Sequence, residues 1–478
     1  MATSQGRLPG GGRGRPLALG IAMAALAGTF APDLHAQATV GHETGGGEAA
    51  EPGATASGPL PPGTYAPPSP IAMALSQPTP IVDPRRRSLR ALHAALRAAA
   101  AGQGQARIAV WGASHTAADL WTGQLRRALQ QRFGDAGHGY VLPLRWHGGV
   151  RHQDIVIDGS AGWTLHRHRE LNAVPTVDGG YAGVAASSAS TAEWMRVSTC
   201  TDNVCGRSVD RLELWLRGGP SAGGVRLRVD GGEERLIQAR QPREGVRIET
   251  LKLPDGAHTI ELRPAGDGET WIYGVAFERS AAGVIVDTLG IPGMRAVIWL
   301  HWRADRQVKL IRNRAPHLVV LAYGTNDVGD DAPHPTDQLE SWRRVLARVK
   351  AAAPRAGCLI VGPTDRPLPP GRDGKRLPRP KTDAILAVQR KAAAEFGCGH
   401  WDAFAAMGGH GAMPRWVAAG LGQRDHVHLT ATGYAVLAER WLAALLEGLP
   451  VDLRRPPASI VPSAPGSKAL GEGGGVAM

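Results

Sequence analysis

Short runs of consecutive apolar residues, each followed by a stretch with apolar positions three or four apart, recur through much of this chain. Arg107-Ile-Ala-Val-Trp-Gly112 is such a run, and Leu125, Leu129 and Phe133 share one face of the helix predicted after it. The pattern resumes with Val284-Ile-Val-Asp-Thr-Leu289, a helix through Ile311, and Leu318-Val-Val-Leu-Ala-Tyr323. Leu339, Trp342, Leu346 and Val349 then lie on one helix face. Strand Leu359-Ile-Val-Gly362, helix 382–397, strand 400–404 and helix 430–447 complete the series. Apolar strands alternating with helices predict a parallel sheet covered on both faces.

A different period separates the first unit from the rest. Arg211-Leu-Glu-Leu-Trp-Leu-Arg217, Val225-Arg-Leu-Arg-Val229, Thr259-Ile-Glu-Leu-Arg263 and Trp271-Ile-Tyr-Gly-Val-Ala-Phe277 alternate with period two, and Asp230-Gly231-Gly232 is a hairpin turn. Residues 155–281 therefore read as an antiparallel β-sandwich inserted into the α/β domain. Trp215 falls on the face opposite Leu212, Leu214 and Leu216, where it either stacks on a sugar ring or fills a domain interface.

Composition changes the picture mainly at the ends. Gly, Pro, Ala and Ser dominate 39–82 and the stretch after 450, which reads as a disordered linker and a loose tail. Arg7, Arg13 and Arg15 precede an apolar run from Leu17 to Ala31, with Ala36-Gln37-Ala38 as a small-x-small cleavage site, so 1–38 reads as an export signal. That leaves 83–154 and 282–450 as the two parts of the α/β domain, and no membrane anchor after cleavage. Four cysteines suit an oxidising compartment. Cys200 and Cys205 bracket a four-residue loop, while Cys358 and Cys398 each begin a predicted strand. Both pairs read as disulfides, since no Cys-x-x-Cys or clustered Cys/His spacing favours a metal. The net charge of +12 attracts polyanions, and export points to envelope polymers rather than nucleic acid.

Three turns after predicted strands carry the candidate chemistry: Gly112-Ala-Ser114-His115, Gly324-Thr-Asn326-Asp327, and Asp425-His-Val-His428 before the last helix. Loops at the carboxyl ends of parallel strands converge on one crevice. A hydroxyl, an amide, a carboxylate and an imidazole there are what acyl transfer needs. With Leu289-Gly-Ile-Pro-Gly293 these blocks resemble, in order, those of the SGNH/GDSL hydrolases. The resemblance implies a flavodoxin-like three-layer α/β sandwich, with Ser114 as nucleophile, His428 as general base and Asp425 as its orienting carboxylate. It implies an oxyanion hole from the N–H groups of Ser114 and Gly293 and the amide of Asn326, with no metal or cofactor. Ala113 departs from the family, which usually has Asp before the nucleophile. Singly, Asp425 reads as easily as a helix cap, a role open also to Thr430.

A narrower resemblance, to bacterial esterases that deacetylate peptidoglycan, rests on Gly112-Ala-Ser-His-Thr-Ala117, Phe133-Gly-Asp-Ala-Gly-His-Gly-Tyr140 and Met407-Gly-Gly409 through Gly420-Leu421. It implies a carbohydrate-binding-module-like insertion, an acetylated cell-envelope glycan as substrate and a periplasmic location. The loop 366–381 holds Arg366, Arg372, Lys375, Arg376, Arg379 and Lys381 against one acid, Asp373, and follows a strand toward the crevice. Arg366, Arg372, Lys375, Arg376 and Trp215 are thus the candidate substrate contacts. An acetyltransferase with the same triad and a non-catalytic glycan-binding protein are the rival readings.

Overall fold

The computed structural model describes residues 67–141, 144–167, 177–201, 204–205, 208–329 and 338–454. The predicted export signal, most of the 39–82 linker, the chain beyond 454 and the side chains of Cys200 and Cys205 lie outside them. Five parallel strands form the central sheet: β1 (Gln105–Gly112), β2 (Gly283–Gly290), β3 (Leu318–Ala322), β4 (Gly357–Val361) and β5 (Gly399–Trp401). Their order is β2-β1-β3-β4-β5, so the direction of strand addition reverses at β1. Alternate side chains of β1 enter opposite layers. Ile108 and Val110 pack with Leu92, Leu125, Leu129 and Trp441 on one side, and Ala109 and Trp111 with Trp299, Val345 and Leu346 on the other. This is the three-layer α/β sandwich that uninterrupted apolar strands require.

Register decides where the chemistry falls. Gly112 pairs with Gly290 on one side and with Ala322 on the other, so β1, β2 and β3 end level. Their following loops open together at the point where the strand order reverses, the usual place for a crevice in an open α/β sheet.

The insertion is two antiparallel sheets face to face. One contains Arg235–Ile237, Val225–Val229, Thr259–Pro264, Met195–Ser198 and Val156–Gly159. The other contains Gly245–Gly256, Val209–Gly218, Thr270–Glu278, Val184–Ser188 and Thr164–Arg167. Leu212, Leu214 and Leu216 meet Leu227, Ile260, Leu262 and Met195 between the sheets. The opposite face of the second sheet turns to the α/β domain. There Trp215 packs against Tyr140 and Tyr181, and Tyr181 against Trp111 of β1. Beneath them Arg314 donates to Asp287 of β2 at 2.6 and 2.7 Å and pairs with Glu278 of the sandwich, tying the two bodies by buried, opposed charges.

Three boundaries differ from those read off the sequence. Gly137–Val141 pairs with Thr270–Glu278 and so extends the sandwich, although the pattern placed it in the 83–154 portion. The chain also joins the fold before residue 83: Pro70–Met73 is a helical turn, Gln77 N–H donates to Ala406 O (2.8 Å), and Val82 exchanges both backbone bonds with His400 of β5. Val451–Arg454 adds a short helix where the tail was expected to begin. Cys358 and Cys398 form a disulfide, their Cα atoms 4.8 Å apart. Among the described residues no helix is long and apolar enough to cross a membrane.

Candidate active site

After β1 the chain turns into a one-turn helix, Ser114–Ala117, with Ser114 at its first position. The backbone of β2 runs so close that a Cβ on Gly290 would lie 2.1 Å from the Ala117 nitrogen, so glycine alone permits the approach. Ala113 is buried in the layer that holds Trp111 and Trp299; its carbonyl accepts the N–H groups of Thr116 (3.1 Å) and Ala117 (2.9 Å) to start the turn, to which its methyl side chain adds no polar contact.

The facing loop, 423–428, is closed by its own backbone. Gln423 N–H donates to His428 O (2.8 Å) and His426 N–H to Gln423 O (3.0 Å), while His426 takes a left-handed φ of 57°. Asp425 Oδ1 accepts the N–H groups of Val427 (2.9 Å) and His428 (3.0 Å). Its Oδ2 accepts from His428 Nδ1 at 2.6 Å, and His428 Nε2 lies 2.8 Å from Ser114 Oγ. Carboxylate, imidazole and hydroxyl therefore stand in line. Nδ1 carries the proton given to Asp425, which leaves Nε2 as the acceptor for the serine proton. Burial pushes the Asp425 carboxyl up, but the His428 bond and the two backbone N–H groups outweigh it and hold it below the usual carboxylate range. The capping role belongs to Thr430, whose hydroxyl accepts from Gly433 N–H (3.2 Å) to start helix Ala431–Leu446.

A second imidazole stands beside the first. His115 lies 5.2 Å from His428, ring to ring, with Nδ1 2.8 Å from the Tyr434 hydroxyl and Nε2 3.4 Å from Thr364 Oγ1. Burial, and then the nearby His428 and Arg366, lower its pKa to about 3, so it is neutral across the physiological range. The sequence reading kept His115 in the Ser114 turn but gave it no part in the triad; its position directly after Ser114 was the available signal.

The other two blocks meet across the crevice. Gly293 holds φ at 82°, where a side chain would be strained, in the loop after β2. Asn326 rides the one-turn helix Thr325–Gly329 after β3, and its Nδ2 donates to Met294 O at 3.0 Å. The amide thus sits against the glycine block, and its second N–H stays available for another acceptor.

The expected substrate contacts divide. Trp215 is only 1% exposed and its indole N–H donates to Glu213 Oε2 (3.0 Å); it is an interface residue and cannot stack on a sugar. Period two placed it on the outer face without revealing that this face is covered by Tyr140 and Tyr181. Arg366 is half-buried, donating to Thr325 O at 3.0 Å, and Arg379 is buried against Pro367 O. Arg372, Lys375 and Arg376 lie on a hairpin closed by Gly371 N–H to Lys375 O (2.8 Å) and Leu368 N–H to Leu377 O (2.8 Å). The first two are exposed; Arg376 is half-buried, and its charge lowers the proton affinity of His426 in the triad loop, after burial.

Sequence reasoning also missed Asp119, which closes the nucleophile turn. It is fully buried with a left-handed φ of 52°. Its carboxylate accepts from Thr122, Thr288 and Arg126 and from Gln153 N–H (2.9 Å). Burial alone would raise its pKa, but Arg126 more than reverses this. His138, His152 and Asp154 lie close by with ligand-like spacing. Both Asp154 oxygens are taken by Arg126 and Arg127, and His152 Nδ1 accepts Asp154 N–H, so Asp154 serves as an ion-pair tether.

The profile of the GDSL-like lipase/acylhydrolase family matches residues 263–436. No curated protein matches the chain. Among solved structures, a peptidoglycan O-acetylesterase is similar at 27% identity, over 76% of this chain and 96% of that one, with a TM-score of 0.63. A family two carbohydrate esterase from Cellvibrio japonicus is similar at 12% identity, over 61% of this chain and 98% of that one, with a TM-score of 0.25.

Proposed function

Since the chain is an SGNH hydrolase of the GDSL-like acylhydrolase family, a serine ester hydrolase, we propose that it removes O-acetyl groups from peptidoglycan outside the inner membrane. The observation that carries the chemistry is the line of bonds from Asp425 Oδ2 to His428 Nδ1 (2.6 Å) and from His428 Nε2 to Ser114 Oγ (2.8 Å), at the point where the strand order reverses. Ser114 Oγ attacks the acetyl carbonyl carbon as its proton passes to His428 Nε2. The oxyanion is received by the N–H groups of Ser114 and Gly293 and the second N–H of Asn326. Collapse breaks the bond to the sugar oxygen, which leaves with the proton held by His428. Water, deprotonated by the same imidazole, then cleaves acetyl-Ser114 to acetate and restores the hydroxyl. Asp425 stays ionised and stabilises the imidazolium in both steps.

The polymer is supported by the similar structure, which spans nearly all of a peptidoglycan O-acetylesterase, and by charge. Arg376 acts on His426 in the loop of Asp425 and His428, its hairpin also carries the exposed Arg372 and Lys375, and Arg424 adds a cation in that loop; such charges would favour a polymer whose peptide stems carry carboxylates. The basic-then-apolar segment ending at Ala36-Gln37-Ala38 supports export to that polymer. Acetate release from O-acetylated peptidoglycan and from acetylated xylan tests the reading. Release from peptidoglycan at the higher kcat/KM is expected; hydrolysis of xylan with peptidoglycan untouched would contradict it.

A further inference from the structure

The loop leaving β4 is tied to the helix that carries Asn326. Thr364 N–H lies 3.4 Å from Thr325 Oγ1, and Arg366 Nη1 donates to Thr325 O at 3.0 Å. The guanidinium lies against the last residue of the same helix: a Cβ on Gly329 would fall 2.0 Å from both Cζ and Nη1 of Arg366. Any side chain there would have to displace the guanidinium. A helix of five residues, Thr325–Gly329, has no stability of its own, because one turn orders several residues for very few hydrogen bonds. Its orientation must come from outside.

We infer that Arg366 is a positioning residue for the oxyanion side of the site: by gripping the Thr325 carbonyl and covering Gly329, it aims Asn326. The inference rests on the reading of Asn326 as an oxyanion donor. Asn326 is then held from two sides, through its own backbone by Arg366 and through its amide by Met294 O (3.0 Å). Lysine has the charge of arginine but not the planar fork that makes both contacts at once. A clamp and a simple electrostatic effect therefore differ in their response to that substitution.

The test is steady-state hydrolysis of a neutral acetyl ester by Asn326→Ala, Arg366→Met, Arg366→Lys, Gly329→Ala and the Asn326→Ala/Arg366→Met pair. Asn326→Ala should lower kcat by ~10²-fold, as loss of one oxyanion donor does. Arg366→Met and Gly329→Ala should each lower kcat by about tenfold with KM nearly unchanged, since they misplace a donor without removing it. Arg366→Lys should not recover that loss, and Arg366→Met should add little on the Asn326→Ala background. Gly329→Ala keeps the arginine and so answers the objection that Arg366→Met merely unfolds locally. Asn326→Ala at its expected loss with Arg366→Met and Gly329→Ala silent would overturn the inference alone. So would full rescue by lysine, or a full Arg366→Met loss on top of Asn326→Ala. Wild-type kcat in Asn326→Ala would overturn the oxyanion reading and the inference together.

Discussion

At the residue scale the account turns on proton placement. Asp425→Asn would keep the shape of the loop but offer His428 an amide, which favours the wrong tautomer. Kcat on a neutral acetyl ester should fall by ~10³–10⁴-fold with KM little changed. A second consequence concerns imidazoles kept neutral by burial. His115 and His152 are lowered from 6.5 to about 3, and His400 to about 4, with desolvation the leading cause in each. The unfolded chain binds protons at these positions below about pH 6.5 that the native state refuses until far lower pH. Stability should therefore fall as pH drops from 6.5 toward 4 and be fully present above 6.5. Thermal unfolding across that window checks it, and a constant midpoint would contradict it. That Ser114, Asp425 and His428 come within bonding distance was legible, because they fall in turns next to the elements of an α/β sheet whose loops converge. For Trp215 the interface was one of the two readings the sequence offered, and alternation could not decide between them because it assigns a face without saying what covers it.

At the element scale, two fixings act at opposite ends of the central sheet. Asp119 gathers bonds from Thr122, Thr288, Arg126 and Gln153 at the end of the nucleophile turn. Asp119→Ala leaves Arg126 buried with half its partners and should lower both the thermal midpoint and kcat, whereas a surface Asp→Ala change should do neither. The Cys358–Cys398 bridge closes a separation of 40 residues, worth about 4 kcal/mol by loop-closure entropy. Reduction should lower the midpoint while leaving kcat at 25 °C unchanged, because both cysteines sit away from the triad at the starts of β4 and β5. Four of the five parallel strands could be read from their apolar runs; the fifth, read over 400–404, is only Gly399–Trp401, and Ala403 and Phe404 already belong to the helix Ala403–Met407. Gly137-His-Gly-Tyr-Val141 could not: it has no alternation, and its membership of the sandwich is set by its partner strand. Residues 67–82 were likewise hidden, since Val82 is held to His400 by backbone bonds that any sequence can make.

At the scale of the whole molecule, a net charge of +12 gains direction from the hairpin beside the crevice. Arg372→Glu/Lys375→Glu should lower kcat/KM on peptidoglycan by about tenfold at low salt, with a small neutral ester unaffected. The difference should shrink by 0.15 M salt, where the screening length is about 8 Å. Equal effects on both substrates would show damage to the site instead. The central claim is that a covalent acetyl group passes through Ser114, and mass spectrometry of acid-quenched protein after brief exposure to an acetyl ester tests it most directly. The account predicts a gain of one acetyl group on the peptide containing Ser114, abolished in Ser114→Ala. An acetyl found on another residue, or turnover surviving in Ser114→Ala, would contradict it.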